Sequence, residues 1–387
     1  FEKIEQELHV VLAASIDPDI ILENFARIIR NANFPQIWFD QFSVNRFFQL
    51  FLSMCERSQK TIDLFAEDKN LRDTFLSRES LVPLDHRNFS NLTIKDFQFR
   101  ASVQLTADII KAESFADLYT EFLNQRISWL ANDFVADKNW KVDFFIAAMG
   151  SFGSSELSFT SDIDLVFVVR SIQSYPDIQK DFQKLLQIFK DNLSGLEIDC
   201  RLRPEGKGSQ LVWDIEDYKK YFSHRARIWE LQAFTKCRLI IGDGKLFSNF
   251  YNHYVQTIKE KDTELIKKEI FEMRKKLYPP NNTQFNIKKS SGGLADIDFI
   301  LSFLILSNPD LLIEQKENNT INSFAMIEKI YNKDINFDQL KRNYYSLKKI
   351  ELFNQIIFNS RLSKVPNEEL KIKKISKECG FSNSKLF

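Results

Sequence analysis

The sequence predicts a mixed α+β protein, a small α/β core set between an N-terminal and a C-terminal helical region. Two observations predict it. The first glycine of the chain is Gly150, and the segment before it keeps helical apolar spacing, as in Ile20, Ile21, Phe25, Ile28 and Ile29. From Lys141 the pattern changes to short apolar runs bounded by glycine and serine, and after Gly244 helical spacing returns. The expected division is a helical region over 1–136, a core over 137–245 and a helical domain over 246–387.

In the first region Pro18, Pro35 and Pro83 break the helices into units, and Ser114 with Asp117 reads as a capped helix start. The core should hold three strands, VDFFIAAM, DIDLVFVV and LEIDCRLR, with a helix over Ile178–Asn192 between the second and third. Beyond it, a loop is expected at Pro279, Pro280, Asn281 and Asn282 and a turn at Gly292-Gly293. The lysine-rich stretch from Lys364 reads as a soluble, frayed tail.

Composition narrows the functional classes. Lysine plus arginine equals aspartate plus glutamate at 53 each, so no long-range field draws the chain to nucleic acid or an anionic membrane. No apolar run approaches the roughly 20 residues that cross a bilayer, and the most apolar stretch, Phe299 to Leu306, is too short. Cys55, Cys200, Cys237 and Cys379 show no paired spacing, which suits a reducing cytoplasm and neither a disulfide framework nor a zinc site. The start, FEKIEQELHVVLAASI, reads as an amphipathic helix without the regions of a signal peptide, and a chain opening on Phe1 is expected to be a fragment. The 37 phenylalanines are expected to fill the core.

The residues that carry chemistry lie in the core. Gly150-Ser151 ends the first apolar run, where a tight turn can offer amide hydrogens and a hydroxyl to a phosphate. In the second strand Asp162 and Asp164 project from one face while Ile163, Leu165 and Phe167 enter the core. Two carboxylates on one face suit a hard divalent cation, and magnesium prefers carboxylate plus phosphate oxygens. In the third run Glu197, Asp199, Arg201 and Arg203 alternate with apolar residues. If that strand neighbours the second, Asp199 completes a three-carboxylate site and the arginines can meet nucleotide phosphates. Glu197 reads as a solvated strand-edge carboxylate.

The stretch MGSFGSSELSFTSDIDLVFVV resembles the nucleotidyltransferase signature of the glutamine synthetase adenylyltransferase family. Four further blocks follow in that family's order, EIDCRLRPEGKGSQLV, RIWELQAFTKCRLIIGD, IFEMRKKL and IKKSSGGLADIDFI, and the helical lead-in is similar too. Members carry two nucleotidyltransferase domains of the polymerase-β-like fold. One attaches AMP to a tyrosine of glutamine synthetase and the other removes it by phosphorolysis. The block at residues 292 to 299, Gly-Gly-Leu-Ala-Asp-Ile-Asp-Phe, resembles the attaching half. Where this chain has Ser151, Ser154 and Asp298, members commonly have lysine, glycine and glutamate, and the shorter Asp298 puts a role for that carboxylate in question.

The resemblance implies ATP as substrate, two magnesium ions, glutamine synthetase as protein substrate, the PII signal protein as a further partner and a cytoplasmic location. It assigns catalysis and metal binding to Asp162, Asp164 and Asp199, and nucleotide binding to Gly150, Ser151, Arg201, Arg203 and Lys236. Lys236 and Arg238 either hold a phosphate or lie on a solvated helix face. Trp229 either packs beneath the nucleotide or belongs to the core. Asp296 supports the site or caps a helix. The expected activity is AMP transfer from ATP to glutamine synthetase. The alternatives are AMP removal giving ADP, a catalytically silent nucleotide-binding module, and uridylylation of a small signalling protein.

Overall fold

The structure is a computed structural model and describes residues 2–138, 140–278, 284–314, 319–331 and 335–381. The chain divides into two compact units, neither continuous in sequence. One comprises 1–118, 282–287 and 345–387, and the other 119–281 and 288–344.

The first unit is helical, as its spacing requires. Pro18 and Pro35 each open a helix, Pro18–Arg30 and Pro35–Phe42, at the position where a missing N–H costs no hydrogen bond. Asp17 caps the first of these by accepting from the Ile20 amide. The helix Asn45–Arg57 buries Phe47, Phe48, Phe51, Leu52, Met54 and Cys55. Phenylalanine does fill this core: the Phe42 ring lies 4.8 Å from Phe48 and 5.0 Å from Phe51, centroid to centroid.

Among the described residues, up to Phe381, the lysine-rich tail is not frayed. Glu369–Cys379 is a helix, ended by Gly380 at φ +80°. Ile375 is wholly buried, Lys374 pairs with Asp17 at 2.6 Å, and Glu378 takes both Nε and Nη2 of Arg57 at 2.8 and 2.6 Å. The partners of these charges lie more than 300 residues away in the chain, which is why the local composition read as solvated.

The second unit carries the sheet. Strands β1 (Phe144–Ala148), β2 (Ile163–Val169), β3 (Ile198–Asp199), β4 (Val212–Asp214) and β5 (Arg238–Gly242) are arranged β3-β2-β1-β5, with β4 also paired to β2. β1 runs antiparallel to β2 and β5, whereas β3 and β4 run parallel to β2. β1 and β2 are almost entirely buried, so their sequences read as unbroken apolar runs. The helix Ile178–Asn192 forms where its spacing places it, with Phe182 set 5.8 Å from Phe144 and 5.3 Å from Phe167.

Three details differ from expectation. The strand read over LEIDCRLR is only two residues long, because Arg201 and Arg203 bend the chain back on itself through hydrogen bonds of their own. β4 and β5 were not foreseen: β4 is three residues long and β5 is only partly buried, so neither shows a clear apolar pattern. The helix read from Ser114 begins at Ala112 and runs to Asp137. The Gly292-Gly293 turn precedes the helix Leu294–Leu306, while Pro279 to Asn282 lie outside the described residues. Among the described residues no helix is long and apolar enough to cross a membrane.

Candidate active site

Register brings two of the three aspartates together. β3 pairs with β2 so that Asp199 is the direct partner of Asp164, and the Ile163 amide donates to the Glu197 carbonyl at 2.8 Å. Side chains paired in this way point to the same side of a sheet. Asp162 stands just before β2, two residues from Asp164 and exposed, while Ile163 and Leu165 are wholly buried on the opposite side. The neighbouring strand that Asp199 needed is therefore present.

The turn after β1 closes over these carboxylates. Gly150 to Gly153 form a single helical turn, and Gly150 has φ +54°. A Cβ on Gly150 would stand 2.5 Å from Oδ2 of Asp164, so only glycine lets the backbone come this near the carboxylate. Gly153 is as constrained from below, since a Cβ there would meet the Lys236 carbonyl oxygen at 1.9 Å. Arg238 supports the turn from β5, donating to the carbonyls of Gly153 at 3.1 Å and Phe152 at 2.9 Å and to Asn124 Oδ1 at 3.2 Å.

The electrostatics follow from this crowding. Burial, reinforced by the charges of Asp199 and Asp162, pushes the Asp164 carboxyl up to about 7. Asp162 is also raised, by burial first and then by Glu197 and Asp199, with Lys288 opposing. Burial acts to raise Asp199 as well, but hydrogen bonds from the Arg201 side chain and amide outweigh it and hold its carboxyl below the ordinary value. Arg201 Nε reaches Asp199 Oδ2 at 2.6 Å and its amide reaches Oδ1 at 2.7 Å. Among the described residues no three carboxylate, imidazole or thiolate groups are gathered into a ready metal-binding cluster. Asp164 and Asp199, which share a face, nevertheless form with Asp162 an all-oxygen donor set that fits a hard divalent cation.

The remaining candidates divide. Ser151 lies in the turn beside Gly150, and Arg201 is largely exposed next to Asp199. Arg203 is committed elsewhere: it donates to the backbone carbonyls of Cys200, Lys207 and Ser209 and so holds the loop after β3. Lys236 is not on a solvated helix face, since its ammonium pairs with Asp298 at 2.9 Å and Glu156 at 3.6 Å. Arg238 is likewise part of a strand. Asp296 is not the cap, which is Gly293; from the first turn of the helix Leu294–Leu306 it accepts from the Gly292 amide at 2.6 Å while binding the buried Arg274 at 2.5 Å. Trp229 is 38% exposed and lines, with Arg201, Arg203, Tyr221 and Glu230, a cavity of about 300 Å³ beside β3. Sequence reading missed the supporting roles of Glu156 and Arg238; the only signal for either was its place in a quoted block.

Comparison with known proteins bears on the same region of the chain. Residues 103–253 match the model of the family described as glutamate-ammonia ligase adenylyltransferase. That region is similar to the glutamine synthetase adenylyltransferase family. Residues 259–386 match a second model, described as GlnD PII-uridylyltransferase. Among the relatives of this chain, the bifunctional glutamine synthetase adenylyltransferase/adenylyl-removing enzyme of Pasteurella multocida is 32% identical over 251 residues, covering 58% of this chain and 25% of that protein. The enzymes of the same name from Nitrosomonas europaea and Neisseria meningitidis are 35% identical over 176 residues and 29% over 233. These cover 42% and 56% of this chain and 18% and 26% of theirs. The matched part of the chain thus spans 18% to 26% of the length of these curated relatives.

Proposed function

We propose that this chain transfers AMP from ATP to a tyrosine hydroxyl of glutamine synthetase, releasing pyrophosphate. The observation that supports this most is the pairing of Asp164 with Asp199 across parallel strands, with Asp162 two residues away. In the reaction the tyrosine oxygen bonds to the α-phosphorus as the bond to the β-phosphate oxygen breaks. Asp199, on the carboxylate face, accepts the hydroxyl proton. Gly150 and Ser151 cradle the phosphates, and Arg201, with its charge beside the same face, steadies them. Asp162, Asp164 and Asp199 would hold two magnesium ions, which when bound neutralise phosphate charge and acidify the acceptor hydroxyl. Positioning of this kind supplies roughly 7–11 kcal/mol of such a barrier, so no further nucleophile is needed.

We also infer a functional division into a helical region at 1–136, a catalytic core at 137–245 and a helical domain at 246–387. The second family match covers the last part and not the core, which favours AMP transfer over uridylylation. Its name supports carrying the PII signal protein as a second partner. ATP and glutamine synthetase as substrates carry a cytoplasmic location with them.

The name of the relatives joins attachment to removal, and this favours one second reading: phosphorolysis of AMP-tyrosine with the same carboxylates. Glutamine synthetase incubated with the chain, magnesium and ATP labelled at the α-phosphate should acquire label. Adenylylated synthetase incubated with inorganic phosphate should yield no ADP. ADP without labelling would favour the removal reading.

A further inference from the structure

We propose that Lys236, Glu156 and Asp298 form an ionic clasp that positions the Gly150–Gly153 turn over Asp164, making Lys236 a positioning residue and not a nucleotide ligand. The functional part of this inference rests on the AMP-transfer reading; the clasp itself does not.

Three elements of the second unit meet at this cluster. Lys236 comes just before β5, Glu156 lies in the loop between the Gly150–Gly153 turn and β2, and Asp298 is in the helix Leu294–Leu306. The Lys236 ammonium is 2.9 Å from Asp298 Oδ1 and 3.6 Å from Glu156 Oε2. Glu156 is held further by the Ser154 hydroxyl at 3.1 Å and by the amide of Thr320, which opens the helix Thr320–Tyr331, at 3.0 Å. The Glu156 amide in turn donates to the Ser151 carbonyl at 2.8 Å. The charges therefore reach into the turn itself through Ser151 and Ser154.

The Lys236 backbone adds a second hold. Its carbonyl lies so close to Gly153 that no side chain fits between them, while Gly150, at the other end of the turn, touches the Asp164 carboxylate. A shift at Lys236 is thus passed to the carboxylate face through four residues of rigid turn. The three side chains are partly buried, Glu156 at 13% exposure, Lys236 at 21% and Asp298 at 39%, so losing the lysine leaves two carboxylates poorly compensated.

The two roles for Lys236 make opposite predictions. A phosphate-binding lysine would be released by Asp298→Asn, and ATP affinity would hold or improve. A clasp lysine would make Lys236→Met the more harmful change, since it strands Glu156 and Asp298, and Asp298→Asn the milder one, since Lys236 still faces Glu156; the double variant, with Glu156 left alone, would be no better than Asp298→Asn.

The test combines amide hydrogen exchange over residues 150–162 with ATP kinetics on the full chain, for wild type, Lys236→Met, Asp298→Asn, the double variant and Asp298→Glu. Far-UV circular dichroism and melting identify folded variants, and Asp298→Glu, which keeps the charge, remains informative if a neutral variant fails to fold. Faster exchange in the neutral variants, near-normal exchange in Asp298→Glu and a fall in kcat of about 10- to 100-fold with a smaller change in KM are expected. Faster exchange with an inert wild type would uphold the clasp and sink the AMP-transfer reading. Unchanged exchange in folded neutral variants, or tighter ATP binding in Asp298→Asn, would overturn the clasp.

Discussion

At the scale of single residues, Asp164 and Gly150 show how function and stability pull apart. Asp164 is held half-buried beside two other carboxylates, with its carboxyl pushed up to about 7. Because the folded value is raised, the native state binds a proton that the unfolded chain has released. Stability is therefore greatest below the unfolded value and falls as pH rises to about 7. In divalent-free buffer the loss across that window should reach at most about 4 kcal/mol. Asp164→Asn should flatten it and leave a protein more stable than wild type at pH 8, by roughly 1–3 kcal/mol, yet inactive; urea titrations at pH 5 and pH 8 measure both terms. An unchanged slope would mean that another group titrates there. Gly150→Ala faces both a positive φ and the Asp164 carboxylate. It should cost about 1–3 kcal/mol by thermal melting and remove activity altogether.

At the scale of elements, what could be read from the sequence depended on whether the forces were local. The helix Ile178–Asn192 was legible because Ile178, Phe182, Leu185 and Phe189 recur at helical spacing and all are buried. β1 and β2 were legible as unbroken apolar runs. β5 was not, because its residues are only partly buried and it is held by pairing to β1. The C-terminal helix Glu369–Cys379 was lost for the same reason: Arg57 and Asp17, which anchor it, are too distant to register in any local pattern. The consequence can be measured. Ile375→Ala should destabilise the helical unit by about 2–5 kcal/mol in chemical denaturation, as expected for a fully buried side chain. A tail that contributed nothing would show no change.

For the whole molecule, the carboxylate site was legible in type before it was legible in geometry. The Asp-x-Asp spacing fixed the shared side of Asp162 and Asp164, and only the parallel β2–β3 pairing brings Asp199 beside them. Arg203 and Lys236 were not legible in the same way, since alternation says which side a charge leaves from but not which partner takes it. Whether these three aspartates carry out AMP transfer is decided by label transfer to purified glutamine synthetase from ATP labelled at the α-phosphate, with magnesium, comparing wild type with folded Asp162→Ala, Asp164→Asn and Asp199→Asn variants. Tyrosine-linked label is expected with wild type and a loss of about 100-fold or more with each variant. Equal labelling by wild type and any one of these variants would contradict that role.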